Sequence, residues 1–484
     1  FSGSASEFNG DTISGLAAGD QIVVSGTDVS SLNGSTLGGT ISLGAESISV
    51  SGADANLVIN ASVSGGNTTL TFSAASGGSG SGSSGGSSSG SGLTVTNQTS
   101  ADSAGTATGR TLVNNSGSSA TGALVEGTGN GNVVTVTLPT GVSLTQRGTS
   151  GAVVSTSAGT TLREEIQTTE PSVTGQGFLD GHGQSFLANN AGMSLDVRSI
   201  VFSSTGGPAQ TVQLTGQSSS GSEAFVIDTS NLPSGSSLQL DNIEFAAIVG
   251  NATVTGGAGR NYVVGDESTQ FISCGAEDDT LAGGGGNDTV GSGWGEDIVY
   301  GNQGTDSVFG GGGMDTLFGG QDSDTVRGDN DNDFVYGNKG DDTVSGGEND
   351  DMVYGGQDND IVYGNSGDDS LFGNLGNDTL YGGQGNDVLS GNAGNDLLAG
   401  NKGDDTLVGG DGADTFIFEF GGGNETVSDF AAGTDTLALE SGLGVGSATE
   451  SGGNTTVTFS DGGSVTVIGV SKTTLSEATG WIFT

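Results

Sequence analysis

Residues Tyr381–Leu407 read YGGQGNDVLSGNAGNDLLAGNKGDDTL, an aspartate and a paired aliphatic returning every nine residues among glycines. A nine-residue period fits neither the 3.6-residue repeat of a helix nor the two-residue repeat of a long strand. The same register holds far outside this stretch. Aspartates stand at Asp279, Asp288, Asp297, Asp306, Asp315, Asp324, Asp333, Asp342, Asp351, Asp360, Asp369, Asp378, Asp387, Asp396, Asp405 and Asp414, without a break. Two positions after each comes a large apolar residue, from Leu281, Val290 and Val299 to Leu407 and Phe416.

Each unit has the form GGxGxDxUx with U apolar, and Gly382–Ser390, GGQGNDVLS, fits it in full. The unit resembles the nonapeptide of the RTX, or hemolysin-type calcium-binding, family, and the resemblance covers roughly Gly256 to Ile417. It implies a parallel β-roll of stacked repeats in a bacterial protein exported by type I secretion.

The residues lead to the same architecture. Three residues around U form a short strand with U pointing inward, and the six before it form a tight turn whose glycines supply positive φ. Two units make one coil, and the coils stack through backbone hydrogen bonds. Each aspartate then faces its counterpart two units further along, as Asp378 faces Asp396. Stacked carboxylates repel unless a cation lies between them. Calcium suits the gap because it takes six to eight oxygens, including the carbonyls of a glycine-rich turn. The sixteen aspartates named above are therefore the candidate metal ligands, with Ca2+ in about 14 inter-coil sites that would offset roughly 28 negative charges.

Departures from the consensus fall mostly in the turns. Asn261 and Gln270 hold the aspartate position in the two leading frames, which should pair as coils without a full calcium site. Glu277, Asp322, Asp331, Asn349 and Asp358 replace the fourth-position glycine, and Asn or Asp often takes the second. Asn and Asp tolerate left-handed backbone better than other non-glycine residues, so the turns should survive. At the ninth position Tyr300, Phe318, Tyr336, Tyr354 and Phe372 recur once per coil. They should form an aromatic ladder on one outer face, either stiffening the roll or docking another domain or subunit.

Composition agrees with this reading. The 484 residues include 96 glycines and 4 prolines, with 9 Lys and Arg against 56 Asp and Glu, for a formal charge of −47. Such a charge repels nucleic acid and anionic membrane. A single cysteine, Cys274, excludes an internal disulfide, and a single histidine, His182, excludes a HExxH zinc site. There is no apolar run long enough to span a membrane and no conventional signal peptide.

The whole chain reads as all-β: a parallel β-roll (an RTX calcium-binding solenoid) with an N-terminal β module, a central β-sandwich-like domain and a C-terminal β cap. The expected boundaries are 1–74 for the N-terminal module, 75–92 for a Gly/Ser linker and 93–250 for the sandwich-like domain, whose turn-punctuated strands suggest an antiparallel sandwich in preference to a solenoid-like β domain. The roll takes 251–418, and 419–484 holds the cap and a type I secretion signal. In 93–250 only TTLREEIQTTEP suggests a helical turn. Glu425–Glu440, ETVSDFAAGTDTLALE, resembles the segment closing RTX rolls, and the ending GWIFT resembles the hydrophobic tail of type I signals. Asp11–Val24 parallels the capping segment and Gly65–Phe72 parallels Gly452–Phe459, suggesting related β modules at the two ends.

No residue set points to catalysis. The GxSxG match at Gly86–Gly90 lies inside the Gly/Ser run, with no helix after it. His182, with Asp180 and Ser185 nearby in sequence, reads as a loop histidine. The functional expectation is a secreted or cell-surface structural protein, not an enzyme, in which calcium folds the roll. It self-assembles into a filament, surface layer, matrix or adhesin, with a surface or matrix glycan as a further candidate partner. The alternative is an RTX-type secreted hydrolase whose catalytic part lies in 93–250 or upstream of Phe1.

Overall fold

A computed structural model of the chain describes residues 93–102, 105–125, 133–149, 152–216, 223–257 and 259–483, and within 1–92 only the backbone of strands. Two compact units emerge, Phe1–Gly85 and Gly86–Thr484. In the first, the strands Ser2–Ser4, Gln21–Ser25, Asn67–Ala74 and Leu57–Ser64 form one four-stranded sheet. Thr12–Ser14, Glu46–Ser51 and Thr40–Leu43 form a second, three-stranded one. The Gly/Ser run with its GxSxG string lies outside the described residues. So do the N-terminal side chains in the likeness of the two ends, those of 11–24 and 65–72.

The second unit is a mostly β solenoid of about 12 turns. Two sheets face each other across a thin interior, and the chain crosses from one to the other at every turn. In the repeat region each strand pairs in parallel with its counterpart on the next coil, Leu371 beside Leu389 and Leu389 beside Leu407 on one sheet, Leu380 beside Leu398 on the other. All sixteen U residues from Leu281 to Phe416 are fully buried. Each contributes roughly 1.5–3 kcal/mol of apolar burial, but only two rows of side chains fill the gap. The hydrophobic layer is one residue deep on either side.

The parallel coils begin ahead of residue 251. Ser194–Ser204 already pairs in parallel with Glu223–Asp228, and Thr211–Thr215 with Ser237–Asp241. Leu93–Thr149 is antiparallel throughout, its strands extending the two sheets at the N-terminal end of the coil.

The region also contains two full helices, α1 at Ser155–Thr169 and α2 at Val173–Asn189. In α1, Ala158, Leu162 and Ile166 share one face and are buried. In α2, Ser172 caps the start, its hydroxyl accepting from Gly175 N at 3.3 Å. Leu179, Gly183, Phe186 and Leu187 of the same helix face inward. A glycine in a helix costs about 1 kcal/mol relative to alanine, which hides α2 from propensity. Gly183 is there for space, since a Cβ would lie 2.9 Å from Leu162 Cδ2. The helix pair thereby seats on Phe245, Val226, Ala247, Val264 and Ala282, covering the outer face of one sheet over its first coils.

At the other end the antiparallel strands Val445–Ser451, Asn454–Phe459 and Ser464–Val467 join the sheet through Asn424–Val427. A short helix, α3 at Lys472–Thr479, follows and buries Leu475. Trp481 and Phe483 pack against the same core, closing the interior. No helix among the described residues is long and apolar enough to cross a membrane.

Candidate metal centre

The turns between sheets decide the site. From Gly284 onward the second and fourth positions of each unit take left-handed backbone, including at residues that are not glycine. φ is 83° at Asn302, 81° at Asn338, 73° at Asp322 and 72° at Asp331. The expected substitutions are thus accommodated, Glu277 (79°), Asn349 (79°) and Asp358 (75°) among them.

This turn aims the aspartate under the neighbouring coil. One oxygen, Oδ1, accepts a hydrogen bond from the backbone N–H of the matching aspartate on the preceding coil. Asp297 Oδ1 takes the N–H of Asp279 at 2.7 Å, and Asp396 Oδ1 that of Asp378 at 2.8 Å. Two such ladders run the length of the roll, one on each edge. All sixteen aspartates are at most 4% exposed.

The second oxygen, Oδ2, has no hydrogen-bond partner in any of the sixteen. In fourteen of them it looks into a small space bounded by glycine; beside Asp279 and Asp297 the glycine is replaced by Cys274 and Ser292, the hydroxyl of Ser292 donating to Gly310 O at 2.9 Å. A Cβ at Gly301 would sit 2.6 Å from Asp306 Oδ2 and 2.5 Å from the carbonyl oxygen of Gly319 on the next coil. The pattern repeats at Gly319, 2.7 Å from Asp324 Oδ2 and 2.8 Å from Gly337 O, and at Gly337, 2.6 Å from Asp342 Oδ2 and 2.5 Å from Gly355 O. Each space is lined by a carboxylate oxygen and a carbonyl oxygen, and a side chain there would fill it.

Leaving a charged oxygen buried and unpaired is costly, and the carboxyl groups respond. Burial, with smaller contributions from neighbouring carboxylates, pushes Asp279, Asp306, Asp315, Asp351 and Asp360 up to about 8. Asp324, Asp333, Asp342, Asp387 and Asp396 rise to about 7, again chiefly through burial. The backbone N–H each accepts works in the opposite direction without overcoming it.

Among the described residues no three His, Cys, Asp or Glu side chains converge on one point. The donor set is therefore one or two carboxylates supplemented by main-chain carbonyls, all oxygen. That fits a hard cation tolerant of irregular, carbonyl-rich coordination, which is calcium rather than zinc or octahedral magnesium.

The repeats match the RTX calcium-binding nonapeptide family in overlapping windows, from 275–308 through 390–424. This is an RTX calcium-binding repeat roll. No curated protein matches the chain.

Several features of the RTX roll escape a reading of the aspartates alone. The ladder runs one rung past the last repeat, where Asp414 N donates to Asp435 Oδ1 at 3.1 Å. Nearby, Asp429 accepts from the N–H groups of Gly409 and Gly410 at 3.0 and 2.8 Å. At its head the ladder ends on neutral amides, with Asn261 N and Gln270 N donating to Asp279 and Asp288.

A second ladder runs outside the first and in the opposite sense. Asn or Asp at the fifth position accepts from a backbone N–H on the following coil: Asn377 N donates to Asn359 Oδ1 at 2.9 Å, and Asn395 N to Asn377 Oδ1 at 2.8 Å. The fifth position is Asn or Asp in every unit from Asn332 to Asp404. That regularity was available in the sequence as a hydrogen-bonding signal.

The aromatic ladder forms as expected. Rings of Tyr300, Phe318, Tyr336, Tyr354 and Phe372 stack at 4.8–5.0 Å with interplanar angles of 2–12°. His182 ends it. Its ring lies 5.4 Å from that of Tyr300, and its Nδ1 is 3.0 Å from the Tyr262 hydroxyl. It lies on α2 rather than in a loop, and burial lowers its pKa. Asp180 instead pairs with Arg163 at 2.9 Å, and the Ser185 hydroxyl donates to Gly181 O at 3.0 Å. These three side chains serve different contacts.

Proposed function

We propose that this is a secreted, calcium-dependent structural protein, whose RTX roll is a rod that calcium folds and stiffens. It serves as the spacer of an extracellular filament, surface layer or adhesive matrix, and is not an enzyme. The observation that carries this reading is the unbroken series of sixteen buried aspartates with an unpartnered Oδ2, fourteen of them facing a glycine cradle. On this reading the sixteen ligate calcium in about 14 inter-coil sites, and the free energy of binding becomes free energy of folding. In low calcium the carboxylates repel and the repeats stay unfolded, a state suited to passage through a narrow export channel. In millimolar calcium outside the cell the rod forms. The stacked aromatics on one sheet and the Asn/Asp ladder add lateral stiffness.

The experiment is a calcium titration of the full chain, followed by circular dichroism and negative-stain electron microscopy. β structure that grows with calcium, together with ordered polymers, is the expected result. Calcium-folded monomers that hydrolyse esters or glycans would replace the structural reading with a hydrolase.

A further inference from the structure

The two outer faces of the roll differ at the ninth position of the repeat. One carries the continuous aromatic ladder. The other reads Phe309, Arg327, Ser345, Tyr363, Tyr381 along successive coils. Tyr363 and Tyr381 stack with centroids 5.3 Å apart and planes 12° from parallel. That contact occupies one face of the Tyr363 ring. The neighbour on its other side is Ser345, which has no ring, so the ladder has a missing rung.

The gap opens into a groove of about 850 Å³. Ser345 lies at its floor between Arg327, one coil before, and Tyr363, one coil after. Strands in a sheet lie about 4.8 Å apart, so the backbone positions of Arg327 and Tyr363, two strands apart, are separated by roughly 9.6 Å. A flat group needs about 3.5–4 Å on each side. One ring-sized group fits, and two do not.

The surroundings are polar. Asn365 Nδ2 donates to Ser345 Oγ at 2.8 Å, and Arg327 pairs with Asp329 at 3.0 Å, leaving further N–H donors on the guanidinium. A second aromatic surface borders the same groove. Trp294 is 67% exposed, with its indole over Gly312, where a Cβ would come within 2.9 Å of Cε3.

An aromatic face presents negative potential to C–H groups, and hydroxyls meet a ring of donors and acceptors at its edge. We infer that the slot above Ser345, between Arg327 and Tyr363, binds a hexopyranose unit of a neutral glycan, with Trp294 supporting an adjoining unit. The continuous ladder on the opposite sheet is less suited to this, because its inner rings present edges once their faces are stacked, and its last ring, Phe372, is followed by Ser390 and Val408 with no guanidinium opposite. A nucleobase would fit the slot, but a chain of formal charge −47 repels its phosphates. The site is independent of whether the rod polymerises.

Calcium-loaded full chain is titrated calorimetrically with tetra- to hexasaccharides of glucose, mannose, galactose and N-acetylglucosamine. At least one series should bind, with a change in tryptophan fluorescence. Tyr363→Ala should weaken that binding at least tenfold. Ser345→Tyr, which supplies the missing rung, should abolish it, and both variants should keep the calcium-induced circular dichroism of the parent. The inference is overturned if no series binds at millimolar concentration, or if binding survives Ser345→Tyr. It is equally overturned if that substitution abolishes self-association while no saccharide binds, which would make the slot a contact between copies.

Discussion

The coils of Ser194–Gly256 and those of the RTX repeats are made alike, parallel strands with Val, Leu, Ile or Phe rows facing a narrow interior, yet they are held by different forces. In the earlier coils α1 and α2 lay a second apolar layer on one outer face, burying Leu162, Leu179 and Phe186 against Phe245 and Val226. Charge there is partly met by protein partners, as Arg198 finds Asp196, while Glu244 Oε2 is left without a hydrogen-bond partner. Among the described residues beyond Tyr300 no helix covers the repeats, and each coil instead buries two carboxylates with an unpartnered oxygen apiece. A solenoid one residue deep needs either a second hydrophobic layer or ions between its turns. This chain uses each in turn.

The sharpest break in that comparison is to remove one edge of the aspartate ladder. Replacing Asp324, Asp342, Asp360 and Asp378 together with alanine should prevent the repeats from gaining β structure at any calcium concentration. Amides of Phe245–Val249 should keep their protection from hydrogen exchange. Equal loss in both regions would mean that the roll and the helix-covered coils form a single cooperative unit.

Acidity should separate the regions next. In the metal-free fold burial raises the ladder carboxyls, Asp306 to about 8, Asp324 to about 7 and Asp369 to about 6, above the roughly 3.9 of an unfolded aspartate. The folded state then binds more protons than the unfolded one, so stability falls as pH rises. In chelator, the roll should be most stable below about pH 4 and lose stability progressively toward pH 8. With calcium the trend reverses, because the metal displaces those protons and binds better as they leave. Thermal melts at pH 5 and pH 8, with and without calcium, check both signs.

A single change sharpens the same point. Asp342→Asn keeps the Oδ1 acceptor for Asp324 N but removes the negative charge. It should shift the calcium midpoint upward and destabilise the calcium form by about 1–3 kcal/mol, as for loss of a charged partner. An unchanged calcium midpoint would show that Asp342 acts only through hydrogen bonding.

The smallest expected effect concerns the outer ladder. Asn377→Ala removes the acceptor of Asn395 N and the donor to Asn359 Oδ1, both exposed. It should cost about 0.5–1.5 kcal/mol, with no change in calcium stoichiometry by calorimetry.

The inner ladder was legible because one residue type at one position can have only one environment in a nine-residue repeat. The same logic located the buried row from Leu281 to Phe416 and the ring stack from Tyr300 to Phe372. Where the period lapses the inference lapses too. The coils before residue 251 are joined by connections of unequal length, so Val212 and Leu238 carry no common spacing with Val254. Helix α2 is masked by Gly175, Gly177, Gly181 and Gly183, whose low propensity is offset only by packing against Leu162 and the sheet. The Asn/Asp ladder was visible at the fifth position, but those residues also favour turns, so their recurrence in a turn does not by itself signal a ladder.

The central claim is that the repeats are folded by calcium while the helix-covered coils are not. Peptide-resolved hydrogen exchange of the full chain at pH 7.5, in chelator and in millimolar calcium, tests it directly. Strong protection across 275–424 that appears only with calcium, beside protection of 223–249 in both conditions, is the predicted result. Equal protection of 275–424 in chelator would contradict it.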